Sequence, residues 1–115
     1  TFNVTGDKLN AILNQRSQDV LAANNWNVVQ YAVLVHMMAQ VAGLKPGELV
    51  HVIADAHIYD RHIPIVEELI KRPTFPAPKF SMNPDIKDFY EFTLDDFTIE
   101  DYVTGPQVTN IPIAI

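Results

Sequence analysis

No cysteine occurs among the 115 residues. That absence excludes a disulfide framework, a Cys-ligated zinc and a thiol nucleophile supplied by this chain. Basic residues are scarce too: 8 Lys and Arg stand against 14 Asp and Glu, for a formal net charge of −6. A binder of nucleic acid polymers presents a basic stripe, so the composition argues against one. There is no initiator Met, which points to a processed or cut chain. Thr1-Phe2-Asn3-Val4-Thr5-Gly6 has no basic stretch leading into an apolar run, so it does not read as a secretory signal. Long hydrophobic runs are missing as well. Residues 28–42 come nearest, but Gln30, His36 and Gln40 interrupt them, and they are too short and polar to span a bilayer. Together these absences predict a soluble, cytoplasmic protein with no metal and no membrane partner.

What is present is an ordinary globular composition, 48 % apolar. The length suits one small domain that buries about two-thirds of its unfolded surface. Residues 8–13 alternate loosely and predict a strand continuing through Asn14-Gln15-Arg16-Ser17. Asn24-Asn25-Trp26-Asn27 reads as a turn rich in helix-capping side chains, followed by a helix over 28–42 that Gly43 ends. Apolar residues surround most of that helix, so it is expected to be largely buried, partly by elements outside this chain. Lys45-Pro46-Gly47-Glu48 is a turn by composition, and 49–59 predicts a strand. Strand alternation groups His51, Ile53, Asp55, His57 and Tyr59 on one face, and Val50, Val52, Ala54, Ala56 and Ile58 on the other. A second helix is expected over 60–72, with Asp60 as cap and Pro64 in its first turn. Three prolines between 73 and 78 forbid regular structure there. Short strands are expected over 79–82, 89–93 and 97–102. The seven acidic residues from Asp85 to Asp101 are opposed by Lys87 alone and read as a solvated surface. The apolar tail, Ile111-Pro112-Ile113-Ala114-Ile115, is expected to dock rather than hang free. Helices and strands mix without strict alternation, so the fold class is α+β: a mixed sheet packed on a long buried helix.

Three segments could carry chemistry. Gln15-Arg16-Ser17-Gln18-Asp19 offers a planar guanidinium and a hydroxyl, which suit a phosphate. Asp19 and nearby amides could read a base or sugar; the plainer reading is a solvated corner. Asp55, His57 and Tyr59 form a row that could clamp a sugar hydroxyl, or a polar ladder beneath a helix. His51, Asp55, His57 and His62 are metal-ligand types, but their spacing matches no zinc pattern and one strand cannot wrap an ion. Each of Asn24, Asn25 and Asn27 has an amide that both donates and accepts. One such amide can match the imide edge of a uracil-like ring, or simply cap a helix.

The ordered set of segments is more specific than any one of them. Gln15-Arg16-Ser17-x-Asp19, Asn27, His36-Met37-Met38-Ala39-Gln40, Gly47-Glu48 and Asp55-Ala56-His57-Ile58-Tyr59 follow one another at set intervals. Pro76-x-Pro78-Lys79, Asp96-Phe97 and Ile113-Ala114-Ile115 complete the series. Across essentially the whole chain this series resembles thymidylate synthase, and Ala22-Ala23-Asn24-Asn25-Trp26-Asn27 is similar to a bacterial variant branch.

The resemblance implies a chain forming the C-terminal portion of a thymidylate synthase-like domain. In the family, deoxyuridylate (dUMP) is methylated to dTMP, and 5,10-methylenetetrahydrofolate gives both the carbon and the hydride. It implies that Arg16 and Ser17 hold the nucleotide phosphate. Gln18 and Asp19 would lie at the base, with Asp19 also facing the folate. Asn27 would read the uracil edge in a supporting role, and His57 with Tyr59 would hold the ribose hydroxyl. Ala114 and Ile115 would belong to a tail that closes over the folate. A homodimer with back-to-back sheets is implied as well. Two departures stand out. The family's Pro-Cys-His segment, whose thiolate attacks the ring, has no counterpart here, and Ala23 stands where the family commonly has glycine. Covalent catalysis needs its nucleophile, so this chain alone is expected to be inactive. The other readings are a non-catalytic nucleotide-binding or dimerising module and a deoxycytidylate hydroxymethylase-like enzyme. Asn27 disfavours the latter, because that branch has Asp at the matching place.

Overall fold

The computed structural model describes residues 1–113. Two compact units emerge: residues 1–57 with 84–92, and residues 58–83 with 93–113. In the first unit, β1 (Phe2–Thr5) and β2 (Lys8–Asp19) form an antiparallel hairpin, and β3 (Lys45–His57) pairs parallel to β2, giving the order β1-β2-β3. The crossover between the parallel strands is α1 (Asn24–Val41), as parallel pairing requires. Leu9 and Ala11 of β2 and Val35 and Ala39 of α1 are the buried apolar core. The loop 84–92 rejoins this unit: Gln40 Nε2 donates to the Ile86 carbonyl at 2.9 Å.

The mixed sheet and helices fit the expected α+β class, and several boundaries moved for identifiable reasons. β2 runs to Asp19, two residues past the expected end. The predicted turn at 24–27 is the first turn of α1. Neither Asn25 nor Asn27 caps the helix, because Asp19 starts the turn upstream. Its Oδ1 accepts from Ala22 N at 3.1 Å and its carbonyl from Ala23 N at 3.0 Å. The helix stops at Gly43 as expected. Gly43, at φ +69°, lets its own N–H reach the Gln40 carbonyl while Leu44 N–H reaches Ala39 O. Only Val35 and Ala39 of α1 are buried within this chain, and Trp26 is 80 % exposed. The rest of its apolar circumference is half-buried or open.

The expected turn at 45–48 is instead the start of β3. Asn10 Oδ1 accepts Glu48 N–H at 2.9 Å across a bulge between Leu9 and Ala11, so a side chain replaces the ladder bond. β3 ends at His57, which leaves Tyr59 outside the strand face predicted for it.

In the second unit the expected helix over 60–72 is a 3-10 turn (Asp60–His62) followed by α2 (Ile63–Leu69). Tyr59 rather than Asp60 is the residue before that turn. β4 (Lys79–Met82) pairs antiparallel with β5 (Phe97–Glu100), and Phe80 stacks on Phe97 at 6.3 Å. β5 is shorter than the predicted 97–102 because Asp101 turns the chain at φ +57°. The strand expected over 89–93 is a 3-10 turn, Phe89–Glu91, in the first unit. Asp88 Oδ1 caps it by accepting Tyr90 N–H at 2.9 Å. The tail docks on its own unit: His62 Nε2 donates to the Pro112 carbonyl at 2.8 Å, and Arg61 Nη1 to Ile113 O at 3.3 Å.

Candidate functional site

Parallel register brings β2 and β3 together residue by residue. Ser17 lies beside Asp55 and Asp19 beside His57, so four polar side chains share the sheet face that packs on α1. His57 Nδ1 stands 3.5 Å from Asp55 Oδ1, at the outer limit of a hydrogen bond. The first turn of α1 carries Asn27 to the same face, where its Oδ1 accepts from Gln15 Nε2 at 3.2 Å. The Gln15 amide also donates to the Ser17 carbonyl at 2.9 Å, and its Oε1 meets His51 Nε2 at 2.7 Å. Of the row Asp55, His57 and Tyr59, the first two stand side by side on β3, Tyr59 lies beyond the strand, and His51 bonds to Gln15 instead.

Arg16 and Ser17 are placed differently. Alternation along β2 sends Ser17 to the α1 face and Arg16 to the opposite, exposed one. An anion touched by both must sit off the edge of β2. That edge is open among the described residues, since the pairing with β1 and Thr1 ends at Ile12. Gln18 is 1 % exposed; its Nε2 donates to the Asp19 carbonyl at 3.2 Å, while its buried Oε1 has no partner among the described residues. An orphaned buried acceptor is uncommon and marks a position poised for a further donor. Ala23 has φ −123° and ψ −21°, a conformation open to any L-residue, so alanine fits this turn without strain.

Tyr59 belongs to the second unit, where its ring meets His62 edge-on at 5.6 Å. His62 is 2 % exposed and engaged with the tail. Among the described residues, no three His, Asp or Glu side chains are placed to hold one metal ion. Ala114 lies outside the described residues.

The whole of the chain, residues 1–115, matches the family model for thymidylate synthase. The chain belongs to the thymidylate synthase family. A thymidylate synthase of Bacillus licheniformis is 47 % identical over 102 residues, which is 89 % of this chain and 37 % of that protein. The solved thermostable thymidylate synthase A from Bacillus subtilis superposes with a TM-score of 0.93 at 40 % identity. It matches 96 % of this chain, which covers 40 % of that structure. This family member thus spans about two-fifths of the length of such relatives, and its α+β fold is theirs. Within it, sequence reasoning passed over Gln15 and His51 as a pair. Gln15 heads the Gln-Arg-Ser segment and His51 lies on the polar face of β3. Yet no sequence spacing links residues 15, 27 and 51.

Proposed function

We propose that this chain supplies the deoxyuridylate-reading part of a thymidylate synthase that methylates dUMP to dTMP with 5,10-methylenetetrahydrofolate. The observation that carries this reading is the convergence of Ser17, Asp19, Asp55 and His57 with the Asn27 amide on one sheet face. In this reading Asn27 matches the imide N–H and carbonyl of the uracil ring. Arg16 and Ser17 hold the phosphate off the open edge of β2. Gln18, with its orphaned Oε1, and Asp19 lie at the base; Asp19 also faces the folate. His57 and Tyr59 hold the ribose hydroxyl, and the tail through Ala114 closes over the folate. The complete enzyme is cytoplasmic and homodimeric, with no membrane or nucleic acid polymer as partner.

Without a cysteine this chain has no nucleophile of its own, so alone it binds but does not turn over. Tritium release from position 5 of the deoxyuridylate ring by the pure chain would refute that. The binding assignment is tested by calorimetry with deoxyuridylate on the wild-type chain, Arg16→Ala and Asn27→Ala. Loss of a charge-assisted contact in the first variant should weaken binding about tenfold or more. Equal affinities in all three sink the assignment. The second reading is a nucleotide-binding or dimerising module without catalysis. The complete gene product distinguishes the two: an encoded Pro-Cys-His segment decides for the enzyme.

A further inference from the structure

Three side chains far apart in sequence form one directed chain of hydrogen bonds. The Ser17 carbonyl can only accept, so the nitrogen of the Gln15 amide must face it, at 2.9 Å. The second hydrogen of that nitrogen meets Asn27, which can answer only with its oxygen, at 3.2 Å. Gln15 Oε1 then faces His51 Nε2 at 2.7 Å, which requires that nitrogen to carry the proton. Two consequences follow for Asn27. Its Nδ2 turns away from Gln15 with both hydrogens untaken among the described residues, and its Oδ1 keeps one lone pair.

We propose that His51 is a positioning residue that, through Gln15, locks the Asn27 amide in the polarity that selects an imide edge over an amino-pyrimidine edge. This rests on the reading of Asn27 as the base contact. An imide presents an N–H beside a carbonyl, which meets Oδ1 and Nδ2 as they stand. An amino-pyrimidine presents a bare ring nitrogen beside an NH2, the reverse polarity. To accept it, Asn27 must turn its amide over, bringing its own NH2 against the Gln15 NH2, donor on donor. The polar groups would be left mispaired in a part-buried site, where mismatches discriminate strongly. His51 makes this costly by anchoring the oxygen end of Gln15, so that Gln15 cannot swing aside.

The test uses the full 115-residue chain with deoxyuridine and deoxycytidine monophosphates. Long-range 15N–1H spectra of the free chain should show His51 as the Nε2–H tautomer. Calorimetry should show a preference for deoxyuridylate that falls about tenfold, one hydrogen bond's worth, in His51→Phe. His51→Gln, which keeps a donor, should restore it. Gln15→Glu replaces the donor with an acceptor, so Asn27 reverses and the preference should shift toward deoxycytidylate. A His51 ring protonated only on Nδ1, or an undiminished preference in His51→Phe, overturns the proposal. If the wild-type chain binds neither nucleotide, the base-reading role of Asn27 is what fails. The positioning role is then judged on the Asn27 side-chain NH2 resonances, which His51→Phe must shift; unchanged resonances overturn it.

Discussion

The Asp96 carboxylate gathers three donors: Thr93 N–H at 2.8 Å, Asn83 Nδ2 at 2.9 Å and Thr93 Oγ1 at 2.9 Å. The Thr93 backbone bond, with the two side-chain bonds behind it, holds its pKa below the ordinary 3.8. The folded value lies beneath the unfolded one, so the stabilisation is present above pH 3.8 and lost as pH falls through the folded value. Asp96→Asn should therefore lower the urea midpoint at neutral pH and flatten the acid limb. His36 in α1 shifts for the opposite reason. Desolvation disfavours its cation and lowers its pKa from 6.5. The unfolded chain then binds more protons just below pH 6.5, so stability is full above that value and erodes beneath it. In His36→Leu, urea midpoints at pH 7.5 and 5.5 should lie closer together than in the wild type. At this scale the sequence showed which side-chain types were on offer: Arg16, Asp19, Asn27 and His57 were all visible. Strand alternation already separates Arg16 from Ser17; which of the two lies on the α1 face is fixed only once α1 covers one side.

At the scale of elements, β3 illustrates a local signal overruled. Lys45-Pro46-Gly47-Glu48 has the composition of a turn, yet pairing with β2 draws it into the strand. Gly47 makes that possible: a Cβ there would run into Asn10 Oδ1 and stand 2.8 Å from the Leu9 carbonyl. Asn10 is already committed to Glu48 N–H, so it cannot yield without losing that bond. Gly47→Ala should cost about 1–3 kcal/mol, read as a lower midpoint in chemical unfolding. The core is equally sensitive where α1 meets β2. Val35→Ala should cost about 2 kcal/mol through lost burial and an unfilled cavity. The existence of α1, β2 and β4 was legible in the sequence. The starts of α1 and β3 were not: a turn held by Asp19 precedes α1, and Asn10 reaches across 38 residues to bond Glu48 N–H at the start of β3.

Across the first unit, the two faces of β3 differ in what they meet. The polar face turns inward beneath α1, and the apolar face stays open, with Val50 47 % and Val52 49 % exposed. A row of exposed β-branched residues on a flat sheet face is the kind of surface a second sheet covers. We expect this face to be the homodimer contact of the proposed enzyme. Val52→Asp should shift the mass by light scattering from dimer toward monomer while leaving the far-UV circular dichroism unchanged. A wild-type chain that is monomeric at working concentration counts against the contact.

The sequence by itself determined the family, the α+β class and the side-chain types available to the candidate site. Ordered motifs and side-chain types are local properties that survive without coordinates. Only the tertiary structure decided which of those side chains meet. Parallel pairing of β2 with β3 sets Ser17 beside Asp55 and Asp19 beside His57, and α1 brings Asn27 to Gln15, which also bonds His51. Such contacts span 12 to 38 residues of chain, as in Gln15 with Asn27 or Glu48 with Asn10. They depend on register and crossover geometry, which no short window of sequence encodes.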